Sequence, residues 1–262
     1  MVNAARDDEV NKPSVSIIMA CYNCERFIAE SVRSVIDQDF QNWELIISDD
    51  GSTDKSSIII ENFVASDKRI RSIKSQKNRG AAQARNAALA ICRGRYIAFL
   101  DSDDIWKPQK LTRQLDFMDR NSVAFSFSAY ERISEEGQPL GLVTATSPVS
   151  YWKLLRRNVI GCLTAIYDSQ VFGKVDMPDI AKRQDYGLWL ALLKRVDQAV
   201  PLSESLALYR LRKSSISSNK IKAAYFTWRL LRDVEKLPIH LALYYFSHYA
   251  AQGLWDYYRL RR

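Results

Sequence analysis

Tyr96-Ile97-Ala98-Phe99-Leu100-Asp101-Ser102-Asp103-Asp104 decides the reading of this chain. Apolar residues run without a break into a cluster of carboxylates. A short apolar run bounded by turn residues reads as a strand buried on both faces, and Gly94 opens this one. Two runs of the same kind lie upstream. Ser14-Val15-Ser16-Ile17-Ile18-Met19-Ala20 is one; Trp43-Glu44-Leu45-Ile46-Ile47-Ser48 is the other, and it enters Asp49-Asp50-Gly51-Ser52-Thr53-Asp54. Between them, Phe27 to Ile36 sets Ile28, Val32 and Val35 on one face of a helix. A second helix is expected near Lys55–Phe63, a third strand at Ile70–Ile73, and an alanine-rich helix at Ala81–Ile91 behind Gly80. Strand and helix alternating at these distances imply βαβ units. The fold class is therefore α/β, with a mostly parallel central sheet and flanking helices. Such sheets bind ligands beyond the carboxyl ends of their strands, where both acidic clusters fall.

The second half reads less regularly. Val123–Tyr130 and Cys162–Tyr167 are expected strands, Glu135–Gln138 a turn, and Ser150 the cap of a short helix reaching Arg157. Asp185–Leu193 has helical spacing. From Ala223 onward aromatic and aliphatic residues mix with Arg and Lys, and Pro238 separates two helices. These boundaries give a leader over 1–13, a main domain over 14–218 and an amphipathic helical extension over 219–262.

The 262 residues are 47% hydrophobic and 26% charged, as expected of a soluble globular chain. A net charge of +8 points to nucleic acid, an anionic membrane surface or a phosphate-bearing small molecule. No nucleic-acid-binding pattern accompanies it, so nucleic acid is not an expected partner. The N-terminus lacks the basic-then-apolar order of a signal peptide, and no apolar run is long enough to span a bilayer. The expected location is cytoplasmic. Cys21-Tyr22-Asn23-Cys24 has the spacing of redox motifs, but nothing else in the chain demands thiol chemistry. The expectation is two reduced thiols in a loop. His240 and His248 lack the partners of a zinc site.

Carboxylates packed as at Asp101, Asp103 and Asp104 repel one another unless a positive charge joins them. A hard divalent cation, Mn2+ or Mg2+, suits carboxylate oxygen and completes its shell with phosphate and water. The plainer reading is a solvated turn that caps the helix beginning near Lys107-Pro108.

Further segments, in order along the chain, carry a resemblance. They are Ser16–Asn23, Asp49–Asp54, Asn78-Arg79-Gly80 through Ala84-Arg85-Asn86, Leu100–Asp104, Arg183–Trp189 and Tyr209–Ser217. Together they resemble the family-2 glycosyltransferases of GT-A fold that build bacterial surface polysaccharides. The resemblance covers roughly Ser14 to Ser217. It implies a metal-dependent enzyme that takes a sugar from a nucleotide-sugar donor, with UDP the expected nucleotide, and inverts the anomeric carbon. It implies a saccharide or lipid-linked acceptor. By its motifs, Tyr22 packs on the base beside Ala20 and Asn23, and Asp50 accepts a hydrogen bond from uracil. Arg85, Asp101 and Ser102 contact the nucleotide, Asp103 is the metal ligand, and Asp185 is the catalytic base. Relatives often have histidine where Arg212 stands. Arg212 and Lys213 are therefore expected to neutralise the diphosphate directly. Without the resemblance Asp185 reads as a helix N-cap, Asp50 as part of an Asp-Gly turn, and Arg85, Arg212 and Lys213 as surface cations. A catalytically silent sugar-nucleotide-binding module is opposed by Asp185 and the acidic cluster. A nucleotidyltransferase is opposed by the lack of a glycine-rich activating loop. The aromatic and basic tail suits an anionic membrane surface, which would make the protein peripheral on the cytoplasmic face of the inner membrane. Its other reading is a helical pair packed on the core.

Overall fold

The computed structural model describes residues 12–212 and 220–259, with no side-chain detail at 220–221 and 252–259. Four strands, β1 (Val15–Cys21), β2 (Trp43–Asp49), β3 (Ile70–Lys74) and β4 (Tyr96–Phe99), pair in parallel in the order β3-β2-β1-β4. The helices α1 (Ile28–Ile36), α2 (Ser56–Ser66) and α3 (Ala81–Ile91) make the crossovers. Strands β1, β2 and β4 are buried almost throughout because both faces are covered. Val15, Ile17 and Met19 of β1, with Leu45 and Ile47 of β2, share a core with α1, whose Ile28, Val32 and Val35 are fully buried. Ile18, Ile46, Ile97 and Phe99 face the other way, toward Leu89 of α3 and Trp189.

The sheet then continues through β8 (Ile166–Asp168), β6 (Phe125–Ile133), β9 (Val200–Arg210) and the two-residue β5 (Ile105–Trp106), with β7 (Pro139–Val143) on β6. β8 is antiparallel to both β4 and β6, whereas β9 runs parallel to β6. The parallel half thus carries the expected βαβ pattern, and mixed pairing completes the sheet. Helix α4 (Lys110–Arg120) covers the α1 face with Leu111, Leu115 and Met118. Ser150 caps α5 (Tyr151–Arg156) as read from the sequence, and α6 is the single turn Ser169–Phe172.

Some local expectations are corrected. Residues 162–164 form a 3-10 turn rather than the start of a strand, with Thr164 Oγ1 donating to Gly161 O at 2.7 Å. Strands β5, β7 and β9 have no counterpart among the expected strands. At Gly94 an added Cβ would lie 2.5 Å from Ser16 N, so only glycine lets the chain enter β4 this close to β1.

Helix α7 (Gln184–Leu193) is wedged into the core. Trp189 is fully buried, its ring 5.5 Å from Phe99 and 5.4 Å from Phe125. Replacing it with alanine is expected to cost about 3–5 kcal/mol. The C-terminal helices α8 (Lys220–Arg229) and α9 (Ile239–Arg259) flank a π-helical turn at Leu230–Val234. Leu230, Leu231, Leu237, Ala242 and Tyr245 join the same core as α7. That burial seats the turn at Leu230–Val234 and the start of α9 against the helix that bears Asp185.

Candidate active site

A cleft of about 550 Å³ opens at the carboxyl ends of β1, β2 and β4. Here the strand order reverses: successive strands move outward from β1 to β3, and β4 returns to the other side of β1. This is the position at which open α/β sheets bind ligands. Ala20 and Tyr22 reach the cleft from the end of β1, Asp50 from the end of β2, and Arg85 from α3. The turn after β4 supplies Asp101, Ser102 and Asp103, α7 supplies Asp185, and the segment after β9 supplies Arg212. Asn23 is not among the lining side chains. Its Oδ1 accepts from Thr53 N at 2.8 Å, tying the loop after β1 to the loop after β2. Lys213 lies outside the described residues.

On the β1–β2 side the polar groups are held by main chain. Asp50 is buried, and its two oxygens accept from Arg79 N at 2.9 Å and Gly80 N at 2.7 Å. The carboxylate thereby fixes the start of α3, where Gly80 has a φ of +95°. Each oxygen keeps lone-pair capacity for a further donor such as an imide N–H. Tyr22 is 47% exposed, an aromatic face at the rim. Beside it the expectation of two reduced thiols is corrected: Cys21 and Cys24 are joined by a disulfide. The bridged loop is held to α2 by Cys24 N, which donates to Ser56 Oγ at 2.8 Å.

At the cleft floor Arg85 donates from Nη2 to Asp101. Burial opposes the Arg85 charge most strongly, but the charge and hydrogen bond of Asp101, joined by Cys162 and Asp185, together raise the guanidinium pKa. Its Nε is buried with no partner among the described residues. A donor left so in a folded interior is expensive, and it marks where an acceptor from a ligand would be welcome.

The cluster after β4 divides its labour. Asp103 Oδ2 meets Arg212 Nη1 at 3.1 Å, both side chains about a quarter exposed. Burial and then the neighbouring Asp101 push the Asp103 pKa up, against the pull of Arg212. Asp104 points away and is buried, and its Oδ1 accepts from Arg210 N at 2.9 Å. Burial, reinforced by Asp103 and Asp101, drives its pKa well above the ordinary carboxylate range.

Arg210 is a residue that the sequence does not single out, although Arg212 beside it is. It is buried, and its guanidinium donates to Asp103 O at 2.9 Å, Glu135 O at 2.8 Å and Glu30 Oε2 at 2.6 Å. It fastens the acidic turn to the β6–β7 hairpin and to α1. Nothing in the basic run Arg210-Leu211-Arg212-Lys213 separates this structural arginine from the one facing the cleft.

Asp185 stands in the first turn of α7, just after Arg183 in the left-handed conformation. Burial raises its pKa; the Tyr186 N–H, Arg85 and Arg183 pull it back, and Asp101 adds to the rise. It is therefore a carboxylate poised as a stronger base than a solvated one. Arg183 Nη2 in turn donates to Tyr249 Oη of α9 at 3.3 Å.

Among the described residues, no group of three or more His, Cys, Asp or Glu side chains is arranged to hold a metal by itself. Asp103 is a cleft-facing oxygen donor whose partner here is the Arg212 guanidinium; a hard ion would have to displace that pairing and take its other ligands from phosphate and water.

The family model "Glycosyl transferase family 2" matches residues 16–171. Over 244 residues the chain is 45% identical to TuaG of Bacillus subtilis, named as a teichuronic acid biosynthesis glycosyltransferase, covering 93% of this chain and 97% of that one. It is 40% identical over 241 residues to WfgD of Escherichia coli, a UDP-Glc:alpha-D-GlcNAc-diphosphoundecaprenol beta-1,3-glucosyltransferase, covering 92% and 93%. Among solved structures, S. aureus TarS 1–349 with UDP-GlcNAc superposes with a TM-score of 0.69 at 19% identity, over 87% of this chain and 69% of that one. In the TarS complex with UDP the match spans 64% of that chain, with a TM-score of 0.67 at 20% identity over 83% of this one. The Pyrobaculum calidifontis mannosyltransferase PcManGT, with GDP-Man and Mn2+, gives 0.66 at 15% identity over 87% and 65%. The solved structures show the shared GT-A fold.

Proposed function

Since this chain belongs to glycosyl transferase family 2, we propose that it transfers a sugar from a UDP-sugar to a hydroxyl of a lipid-diphosphate-linked saccharide. Transfer inverts the anomeric carbon and serves bacterial surface polysaccharide synthesis. The observation that carries this reading is Asp185, a carboxylate of raised pKa held by a helix end in the same cleft as Arg85–Asp101 and Asp103–Arg212. The relatives' substrates support the donor and acceptor classes.

In the reaction, Asp185 accepts the proton of the acceptor hydroxyl as that oxygen bonds to the anomeric carbon. The bond from that carbon to the diphosphate oxygen breaks, and UDP departs with the electron pair. Arg212, which lines the cleft, neutralises the leaving diphosphate, aided by the Nε of Arg85 toward the nucleotide. Tyr22 stacks on the base and Asp50 accepts its imide N–H, while Ala20 and Ser102 line the donor. Asp103 would hold Mn2+ or Mg2+ together with diphosphate oxygens; such an ion, when bound, supplies positive charge against the leaving group. Residues 14–218 form the catalytic unit in this reading, and the extension after 218 braces α7. Transfer takes place at the cytoplasmic face of the membrane that holds the acceptor.

The test is a donor screen. The purified protein is given UDP-, GDP- and TDP-sugars, Mn2+ and a water-soluble analogue of a GlcNAc-diphospho-lipid. UDP release with a glycoside of inverted anomeric configuration, read by NMR, is expected. A retained configuration, or transfer from GDP-sugars alone, would overturn it.

A further inference from the structure

The exposed face of α9 is unusual for a helix that borders water. Between Ile239 and Ala251 the chain is Ile-His-Leu-Ala-Leu-Tyr-Tyr-Phe-Ser-His-Tyr-Ala-Ala, without a formal charge. Ala242 and Tyr245 turn into the core. Ile239, His240, Leu243, Tyr244, Ser247, Ala250 and Ala251 turn outward. Ile239 is 61% exposed, Leu243 54% and Tyr244 45%. A helix face in water normally carries charged and polar side chains. Trp152 of α5, 56% exposed, stacks on Tyr245, whose ring abuts Tyr244. The aromatic surface therefore continues from α9 onto α5.

Exposed cations border this surface. Lys153 and Arg156 are exposed on α5 beside Trp152, and Lys236 is exposed just before α9 begins. The acids nearby are engaged: the Glu235 side chain is buried against Lys194 at 2.8 Å, and Asp233 pairs with Arg229 at 2.6 Å. Apolar and aromatic side chains rimmed by cations match the boundary of an anionic bilayer, where rings sit among headgroups and Lys and Arg meet phosphate. The same helix reaches the cleft, because Tyr249 holds Arg183 at its lip.

We infer that the Ile239–Tyr244 face of α9, with Trp152, Lys153 and Arg156 of α5, docks the protein on an anionic membrane surface and brings the cleft to its lipid-linked acceptor. The inference deepens the reading above, in which the acceptor is lipid-linked. Among the described residues no helix is long and apolar enough to cross a membrane, so this contact lies on the bilayer rather than through it.

The experiment measures co-sedimentation of the full chain with phosphatidylcholine vesicles, with and without phosphatidylglycerol. Transfer to a water-soluble acceptor is followed in parallel. Wild type is expected to bind the anionic vesicles more tightly than the neutral ones. Ile239→Glu with Leu243→Glu is expected to weaken that binding about a hundredfold. Lys153→Glu with Arg156→Glu is expected to weaken it about tenfold, on anionic vesicles only. Both variants should keep wild-type transfer to the soluble acceptor and wild-type circular dichroism. Equal vesicle binding by wild type and the Ile239/Leu243 variant overturns the proposal, as does wild type that ignores both vesicles. Sedimentation showing a wild-type dimer that this variant dissolves assigns the face to a second copy and also overturns it. Failure of soluble transfer by a wild type that binds vesicles sinks the catalytic reading and leaves this one standing.

Discussion

The two walls of the cleft treat their carboxylates differently. On the β1–β2 wall, Asp50 is surrounded by main-chain donors that fix its oxygens before any ligand arrives. On the opposite wall, Asp103 and Asp185 are crowded and desolvated, and arginine side chains stand against them. A carboxylate fixed by backbone N–H groups makes a rigid template. A desolvated one facing a side-chain cation can exchange that cation for a proton or a ligand. In the proposed mechanism one wall holds the nucleotide and the other reacts.

The contrast breaks most sharply at the reactive wall. Asp185→Asn is expected to lower kcat by about 10²–10⁴-fold while UDP binding, followed by calorimetry, stays at the wild-type level. Its thermal midpoint should be equal or higher, since the variant removes a carboxylate whose charge the fold disfavours. A matching loss of UDP affinity would move Asp185 to the holding wall.

Arg212→Ala is expected to come next, with a loss of about 10–100-fold in kcat/KM for the donor, the scale of one charge-assisted hydrogen bond. If Arg212 only balances Asp103, the same variant will leave donor turnover unchanged and alter only the pH response.

On the holding wall, Asp50→Asn should act through structure. The amide keeps one acceptor and loses the charge that gathers Arg79 N and Gly80 N. We expect about a tenfold weaker UDP affinity with kcat at saturation barely changed. A large fall in kcat would show that the two walls are not separable.

Much of this is legible in the sequence. The buried strands β1, β2 and β4 announce themselves as apolar runs because both of their faces are covered. The acidic clusters gain meaning from standing at the ends of those runs. The strands missing from the sequence reading lack such a signature. β5 is only two residues long, β7 lies largely exposed at the edge, and β9 contains Pro201 and alternates irregularly between burial and solvent. The 162–164 segment resembles a strand because its residues are mostly apolar and all buried, yet Thr164 closes a 3-10 turn on Gly161.

Within the site, the pattern shows which residues meet but not how each is partnered. Asp104 looks equivalent to Asp103 in the sequence, and only the fold turns it inward onto Arg210 N. Arg210 itself finds its partners 75, 107 and 180 residues away. Two of them are carbonyls, which any residue could supply, so no side-chain pattern records them. The disulfide between Cys21 and Cys24 is visible as a spacing, but a spacing alone does not set its oxidation state.

The pH dependence of kcat, taken with saturating donor for wild type and for Asp185→Asn, tests the central claim most directly. A base must be ionised to accept a proton, and burial raises the Asp185 pKa. Wild-type kcat should therefore fall on acidification with an apparent pKa above about 4, the solvated carboxylate value. That acidic limb should vanish from the residual activity of Asp185→Asn. The same limb persisting in the variant would contradict Asp185 as the base.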